Sequence, residues 1–197
     1  MPITRVIDLQ FQVFGSTINV DHGYALFSGV SKVLPVFHAA ENVGMGLVRG
    51  KYIGDGRISI APVSSMTFRL PVDLVSNYIN LAGKSLDVGG YSLRIGVPSS
   101  HALIPAPVLY AHLVTTRNGQ DQDRFEREIA RQLVQQGSRG RITIGKRRTF
   151  RVHGRQVVSY SVLVSELTAE ESIVLQENGL GGRRKMGCGF FLPWKGA

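Results

Sequence analysis

"RTFRVHGRQVVSYSVLVSELTAEESIVLQENG", residues 148–179, is the stretch that decides the fold. Its first part is rich in β-branched residues, and the interruption at His153-Gly154 predicts a turn between two strands. Thr168 with Glu171 three residues later is a capping box, which predicts the start of a helix. Gly179 is typical of a helix end. The stretch therefore predicts strand, strand and helix in succession.

The flanking sequence completes a repeating unit. "PVLYAHLVTTR" and "DQDRFEREIARQLVQQG" predict a strand and a helix before the hairpin, and "CGFFLPW" predicts a strand after it. The first half has the same order, with strand "ITRVIDLQFQVFG", helix "DHGYALFSGVSKVLPVFH", strands "RISIAP" and "SMTFRLP", helix "PVDLVSNYINLAG" and hairpin "KSLDVGGYSLRIGVP". Asp21 is the expected N-cap of the first helix, and Pro35 is expected to end or kink it.

This order predicts an α+β fold of two tandem ferredoxin-like (RRM-like) βαββαβ domains. The domains are expected at residues 1–98 and 107–197. A linker at residues 99–106 lies within the proline-punctuated stretch "VPSSHALIPAPV". The second domain is expected to carry a C-terminal glycine-rich loop.

The composition points to a polyanionic partner. The chain has 197 residues, a net charge of +9 and a pI of about 10.1, with 43% hydrophobic residues, which is ample for a packed core. No apolar run approaches the length of a membrane span and no signal peptide is visible, so we expect a cytoplasmic protein. The single cysteine, Cys188, excludes an intramolecular disulfide and a cysteine-cluster zinc site. No pattern indicates a metal or a cofactor, and none is expected.

The positive charge is concentrated in the second half. A block without any acidic residue contains Arg139, Arg141, Lys146, Arg147, Arg148, Arg151 and Arg155. Three further arginines, Arg124, Arg127 and Arg131, recur at steps of three and four and so share one helix face. For that helix, a solvated surface compensated by Glu126 and Glu128 is the alternative. Because an uncompensated cluster is suited to neutralising phosphates, we predict that the block binds nucleic acid, with His153 as a further contact.

The stretch "ENGLGGRRKMGCGFF", residues 177–191, combines glycines with three consecutive cations. Glycine lets the backbone approach a polyanion and present N–H groups to it. No G-K-[ST] follows, which excludes a nucleotide-hydrolase phosphate loop. Cys188 is expected to be a small residue where the loop enters the last strand. The residues predicted to contact phosphates are Gly181, Gly182, Arg183, Arg184, Lys185, Gly187 and Gly189.

The motif "GLGGRRKMGCG" resembles the glycine-rich loop of the CRISPR repeat-processing endoribonucleases, the sixth Cas family of the repeat-associated RNA-binding superfamily. Three longer stretches resemble the subtype of the MYXAN type I systems. They are "DHGYALFSGVSKVLPVFH", "LPVDLVSNYINLAGKSLDVGGYSLRIGVP" and "LTAEESIVLQENGLGGRRKMGCGFFLPW". The resemblance thus extends through most of the chain.

The resemblance implies a function in antiviral defence. Proteins of this family bind the stem-loop of a CRISPR repeat and cut precursor RNA at its 3′ base without metal. The ribose 2′-OH attacks the adjacent phosphate and leaves a 2′,3′-cyclic phosphate and a 5′-OH. Many then stay on the hairpin within the effector ribonucleoprotein. The expected partners are the repeat hairpin and other effector subunits.

The resemblance also implies a catalytic set. The family's histidine lies at the end of the first helix, where this chain has His38, and histidine suits proton transfer near neutrality. A helix-terminal histidine that interacts with the helix dipole is the alternative. Tyr24 resembles an auxiliary tyrosine, although a core aromatic is the simpler interpretation. Arg49 or Lys51 is a candidate for stabilising the phosphorane. Of the other histidines, His22 is expected to cap or pack, and His101 and His112 to be structural.

One departure bears on cleavage. Members of the resembled subtype carry a second histidine in a stretch similar to "G-I-H-P-I-R-G". This chain has "GMGLVRG" there, residues 44–50, so Gly46 stands where that histidine is expected. An alternative function is therefore a non-catalytic or weakly catalytic hairpin-binding subunit of an effector or transposon complex. A general RRM-type module is disfavoured, because no RNP aromatic signature is found.

Overall fold

The chain folds into two compact units, Met1–Ala102 and Leu103–Ala197. The computed structural model describes residues 6–196. The division between the units falls inside the expected linker, residues 99–106. Residues 99–102 belong to a strand that pairs with the first strand of the chain, so only the remainder of that segment connects the units.

The first unit alternates strands and helices in the expected order. Its strands are β1 Val6–Phe14, β2 Thr17–Asn19, β3 Gly44–Met45, β4 Lys51–Gly54, β5 Arg57–Ser59, β6 Ser65–Pro71, β7 Ser85–Val88 and β8 Tyr91–Ala102. Its helices are α1 Gly23–Val33, α2 Pro35–Ala39 and α3 Val75–Tyr78, the last flanked by 3-10 turns at Val72–Leu74 and Ile79–Leu81. The hairpin predicted at Gly89-Gly90 is confirmed, and both glycines have positive φ.

The main sheet of this unit has the strand order β3-β6-β1-β8-β7 and antiparallel pairing. In a ferredoxin-like unit the first strand lies between the third and the fourth, with the second outside the third. Strands β1, β6, β8 and β3 fill those positions, and β7 extends the edge. The ferredoxin-like prediction is therefore confirmed for this unit.

Two details of the first unit differ from the prediction. The stretch "RISIAP" forms β5, which belongs to a separate three-stranded sheet of order β2-β5-β4 and not to the main sheet. The second ferredoxin position is instead taken by β3, which has only two residues and shows no alternation that a sequence could reveal. The N-cap of α1 is His22 and not Asp21.

The second unit has the simpler architecture. Its strands are β9 Leu109–Val114, β10 Arg141–Val152, β11 Arg155–Ser165 and β12 Leu192–Pro193, and its helices are α4 Gln122–Gln135 and α5 Ala169–Asn178, with a 3-10 turn at Arg184–Met186. The sheet order β10-β11-β9-β12 is again ferredoxin-like. The capping box is confirmed, since Thr168 Oγ1 accepts from the amide of Glu171 and Glu171 Oε2 accepts from that of Thr168.

The long hairpin of the second unit contains an irregularity. "RGRITIG" and "RTFRVHG" form one continuous strand, β10, whose register against β11 shifts between Ile144 and Arg147. A β-bulge of this kind inserts an extra residue and changes which side chains share a face. The last strand, β12, is shorter than predicted, because only Leu192 and Pro193 pair with β9.

Each unit has its own hydrophobic core. In the first, an aromatic group packs between α2, β6 and α3, with Phe37 and Phe68 ring centroids 5.3 Å apart and Phe68 and Tyr78 5.1 Å apart. In the second, Phe125 of α4 packs on Tyr160 of β11 at 4.5 Å. Burial of Phe37 fixes the orientation of α2 and therefore that of the next residue, His38.

A buried ion pair joins two strands of the first unit. Arg69 on β6 is 1% exposed, and its guanidinium donates to both carboxylate oxygens of Asp8 on β1, at 2.7 and 2.8 Å. The bidentate geometry matches the planar fork of arginine to the carboxylate. Removing one partner of such a pair is costly, because the remaining charge stays buried.

We expect Asp8→Ala to lower the free energy of unfolding by about 3–5 kcal/mol, because it leaves the guanidinium unpaired. Urea denaturation followed by circular dichroism measures this change. The double variant Asp8→Ala/Arg69→Met removes both charges and should recover most of the loss. A single variant as stable as the wild type, or a double variant as unstable as the single, would contradict this account.

Candidate nucleic-acid interface and catalytic histidine

His38 lies on the exposed side of α2. Helix α1 ends at Val33, before Pro35, as predicted. Pro35 then starts a second, short helix, α2, which was not predicted. The ring of His38 packs beside Phe27 of α1, with centroids 5.5 Å apart. The imidazole is therefore positioned by its buried neighbour Phe37 and by one aromatic contact while remaining accessible to a ligand.

Tyr24 is partly buried on α1, one helical turn before Phe27. Its ring lies 6.3 Å from that of Phe27, so Phe27 is flanked by Tyr24 and His38. The three rings form an aromatic row along the surface of α1 and α2. This arrangement brings Tyr24 and His38 to the same part of the unit.

His22 has a structural role. It is 3% exposed, its Nδ1 lies 2.8 and 3.0 Å from the carbonyl oxygens of Asn19 and Val20, and its Nε2 accepts from the amide of Val48 at 3.1 Å. This pattern requires the neutral tautomer with the proton on Nδ1. Burial lowers the pKa of His22, which keeps it neutral. The expected packing role agrees with this geometry.

The segment after β3 is held against the main sheet. The amide of Gly46 donates to the carbonyl of Thr67 at 2.8 Å, and Gly46 is buried. Two residues later, Val48 is bound by His22. The backbone carbonyl of Arg49 accepts from Ser64 Oγ at 2.8 Å while the Arg49 side chain is exposed. His38 and Arg49 thus lie in the chain on either side of β3, and both present their side chains to solvent.

The remaining histidines are all exposed. His101 lies on β8, where its Nε2 is 2.9 Å from the hydroxyl of Ser99, and His112 lies on β9. His153 occupies the turn of the β10–β11 hairpin with φ of 49°, followed by Gly154 with φ of 74°. Two successive positive φ values are typical of a type I′ turn. His153 therefore stands at the tip of the basic hairpin.

The arginines of α4 share an exposed face, as predicted, while Phe125, Ile129 and Leu133 are buried. Two of the three are paired within the helix. Arg124 lies 3.3 Å from Asp121, and Arg131 donates twice to Glu128, at 2.9 and 2.6 Å. Hydrogen bonds from Arg131 and Gln132 lower the pKa of Glu128 to about 2. The positive charge of this face is thus partly compensated. Of the two glutamates expected to compensate it, Glu128 does so and Glu126 does not.

The bulge divides the basic block between the two faces of the sheet. Arg147 pairs with Tyr160, whose ring packs on α4, and its Nη2 donates to Gln120 Oε1 at 3.2 Å. Arg151, four residues further along β10, shares that face. Arg148 pairs with Ser159 on the opposite face and is half-buried there. Two further pairs, Arg141 with Ser165 and Arg155 with Val152, lie on the same opposite face. Exposed Arg139 lies two residues before β10, and exposed Lys146 lies in the bulge. The block is therefore two surfaces and not one.

The glycine-rich segment, residues 179–189, is fastened to β9 and α4. The amides of Gly182 and Gly189 donate to the carbonyls of Thr115 and Leu113, at 2.9 and 2.7 Å. The amide of Gly181 donates to Gln132 Oε1 at 2.7 Å. These N–H groups were expected to face a phosphate, but they are used to attach the segment to the unit. What the segment can offer to a ligand is its exposed surface.

The three cations of the segment are not equivalent. Arg183 is exposed and adopts the left-handed conformation with φ of 60°. Arg184 is half-buried and donates to the carbonyl of Glu177 at the end of α5, at 2.6 Å, and Lys185 is also half-buried. Cys188 is fully buried, and burial raises its pKa to about 12, which makes it an unreactive small residue, as expected.

A cleft of about 870 Å³ opens in the second unit beside this segment. Its walls are the β9–α4 loop (residues 115–120), the start of β11 (residues 156–158), the inner side of α4 and the segment Gly181 to Arg183. Sequence reasoning missed this cleft. The only signal was the polar stretch "TTRNGQ", which is typical of any loop before a helix.

Within residues 6–196, no group of three or more histidine, cysteine, aspartate or glutamate side chains is arranged to hold a metal ion. In the same range, no helix is both long and apolar enough to cross a bilayer.

The chain has two ferredoxin-like units, and the second carries a basic hairpin with a glycine-rich segment beside it. This combination defines a tandem ferredoxin-like protein of the RNA-binding class. The family model for Cas6 CRISPR proteins matches residues 7–196. The chain therefore belongs to the Cas6 family.

Individual relatives agree with this assignment. The chain is 37% identical over 194 residues to the CRISPR-associated endonuclease Cas6 of Myxococcus xanthus strain DK1622, covering 95% of this chain and 81% of the relative. A solved CRISPR-associated protein Cas6 shares the fold with a TM-score of 0.68 at 12% identity, over 97% of this chain and all of the other. A RAMP protein that binds different RNA substrates gives 0.68 at 13% identity, over 94% and 98%.

Two neighbouring glycines of the segment should respond differently to alanine. At Gly181, with φ of 75°, a Cβ would collide with the carbonyl oxygen of Thr115, whereas at Gly182 it would meet nothing within 4 Å. We expect Gly181→Ala to destabilise the protein by more than about 1 kcal/mol and Gly182→Ala to change stability by less than about 0.5 kcal/mol. Urea denaturation of both variants measures this. Equal stabilities would contradict the described attachment of the segment.

Proposed function

We propose that this chain binds the stem-loop of a CRISPR repeat and cleaves precursor CRISPR RNA at the 3′ base of the hairpin, in the cytoplasm. The observation that carries the proposal is the match to the Cas6 family over residues 7–196. The name of the Myxococcus xanthus relative, an endonuclease, supports cleavage. After cleavage the protein stays on the hairpin as a subunit of an effector complex.

The cleavage step needs a base, an acid and positive charge. A base removes the proton of the ribose 2′-OH, whose oxygen attacks the adjacent phosphorus. The bond to the 5′-oxygen breaks, and an acid protonates that oxygen. The products are a 2′,3′-cyclic phosphate and a 5′-OH. The step needs no oxidant, reductant or metal ion, because the 2′-oxygen replaces the 5′-oxygen on phosphorus and the proton lost from one oxygen is supplied to the other.

His38 is the proton-transfer group in this proposal. Its ring is exposed at the end of α2 and is held by Phe27, whereas the ring of His22 is buried and fixed in a neutral tautomer. Tyr24, on the other side of Phe27, is the second proton-transfer group. Arg49 stabilises the charge of the phosphorane, since its side chain is exposed after β3. These side chains supply the functions for which other nucleases use a metal ion.

In this proposal the second unit binds the RNA stem. Arg147 and Arg151 lie on the face of the β10–β11 hairpin that α4 also covers, and the arginines of α4 continue this surface. On the other side of the cleft the exposed Arg183 adds to it. Because the grooves of A-form RNA offer side chains little sequence information, contacts to phosphates and to the shape of the stem dominate.

We expect His38→Ala to slow single-turnover cleavage of a repeat hairpin by about 10²–10⁴-fold, which is the usual contribution of a positioned acid or base. Its dissociation constant for the RNA should stay within about twofold of the wild type, because binding rests on the second unit. His101→Ala, which also removes an exposed histidine, is the matched control and should cleave normally. Normal cleavage by His38→Ala would overturn the assignment.

Arg151→Ala and Arg148→Ala form a matched pair on opposite faces of β10. With RNA on the α4 face, Arg151→Ala should weaken binding across sequences and reduce the salt slope of the affinity by about one. The sequence predicted that Arg148 also binds RNA, but its side chain lies on the opposite face, so Arg148→Ala should leave the slope unchanged. Titrations of the hairpin at several salt concentrations measure both. A slope that changes only in Arg148→Ala would place the RNA on the opposite face.

A second candidate function is supported by Gly46. Where the resembled subtype has a histidine, Gly46 is buried with its amide bound to Thr67, and it offers no proton-transfer group. If that position is the main catalyst of the family, this chain is a hairpin-binding subunit with weak or no cleavage. The two candidates differ in one measurement: the second predicts tight hairpin binding by a wild-type protein that does not cut.

A further inference from the structure

We propose that the cleft of the second unit holds one unpaired nucleotide of the bound RNA, whose base is recognised by the side-chain amides of Asn118 and Gln156. This inference rests on the proposed function, since it adds a specific subsite to hairpin binding. The cleft volume of about 870 Å³ lies within the range of roughly 300–1,000 Å³ that is usual for sites of small ligands.

The lining of the cleft has the chemistry of a base-binding site. Neither Asn118 nor Gln156 makes a side-chain hydrogen bond to another residue within the described range, and both are exposed to the cleft. An amide offers a donor and an acceptor side by side, which matches the edge of a nucleobase. Gln132, in contrast, is fixed at both ends, by Gly181 and Glu128, and forms a rigid wall.

The charges around the cleft favour a phosphate. Arg117 and Arg183 line it from two sides and are both exposed. The one carboxylate in the lining, Glu128, is already neutralised by the bidentate pair with Arg131. The net effect is a cationic entrance above an uncharged, amide-lined interior. A nucleotide combines an anionic phosphate with a neutral, hydrogen-bonding base and fits both parts.

The position of the cleft links it to the two surfaces proposed to grip RNA. Gln156 is the cross-strand partner of Arg151, and Gln120 accepts from Arg147, so one wall belongs to the basic hairpin. The opposite wall is the glycine-rich segment, fastened through Thr115. An RNA strand that contacts both surfaces therefore passes over the cleft.

Only an unpaired base can enter. The edges of stem bases are engaged in pairing and are stacked, whereas bases in loops, bulges and single-stranded flanks can be splayed out and bound on their edges.

The test couples protein variants to abasic RNAs. Dissociation constants are measured for the full-length protein with the intact repeat hairpin of its own CRISPR array, and with hairpins that carry an abasic site at each unpaired position in turn. At one position, loss of the base should weaken wild-type binding by about tenfold, the usual discrimination of an amide that contacts a base edge. For Asn118→Ala/Gln156→Ala, the same abasic site should cause no further loss.

The matched control is Gln135→Ala, which removes an exposed amide near the C-terminal end of α4 that does not line the cleft. It should respond to every abasic site as the wild type does. Wild-type-like affinity of the Asn118→Ala/Gln156→Ala variant, or an equal loss on all RNAs with no coupled position, would overturn the inference while leaving hairpin binding intact. A wild type that does not bind the intact hairpin would overturn the proposed function and the inference with it.

Discussion

Two backbone hydrogen bonds, from Gly182 to Thr115 and from Gly189 to Leu113, fix the position of the glycine-rich segment in the second unit. They place the glycine-rich segment beside β9 at a separation that a Cβ at Gly181 would not allow. Gln132 of α4 completes the attachment. The cleft, the exposure of Arg183 and the burial of Cys188 all follow from this attachment, because each depends on where the segment lies. The amides of Gly181, Gly182 and Gly189 are therefore structural, because they attach the segment to the rest of the unit.

The first unit depends on a different constraint, the break in its first helix. Pro35 cannot continue α1, so the chain turns and forms the short helix α2. Phe37 then enters the aromatic core against Phe68 and Tyr78, and the next residue, His38, necessarily faces outward. A proline and a buried ring thus determine the position of the proposed proton-transfer group. The catalytic proposal rests on this local geometry.

Much of the fold could be predicted because its signals are local. The Thr168–Glu171 capping box, the Gly89-Gly90 and His153-Gly154 turns and the amphipathic pattern of α4 all appear in the structure as expected. Strand β3 could not be predicted, since two residues carry no periodicity. The bulge in β10 was equally invisible, and it decides that Arg147 and Arg148 face opposite ways. A sequence shows that cations are clustered, but only the register shows which of them share a surface.

The site could be predicted less well than the fold, for the same reason. The amides of Gly181, Gly182 and Gly189 were expected to face a phosphate, but in the structure they donate to Gln132, Thr115 and Leu113, which are far away in the sequence. The cleft combines residues from four separate segments, and no single segment has an unusual composition. Long-range contacts of this kind carry no local signal.

Cleavage of the repeat hairpin by the purified wild-type protein in excess EDTA, with the ends of both products identified, tests the central claim most directly. The account predicts unchanged cleavage in chelator, with a 2′,3′-cyclic phosphate on the upstream product and a 5′-OH on the downstream one. Loss of cleavage in EDTA that added Mg²⁺ restores, or products with a 3′-OH and a 5′-phosphate, would contradict it.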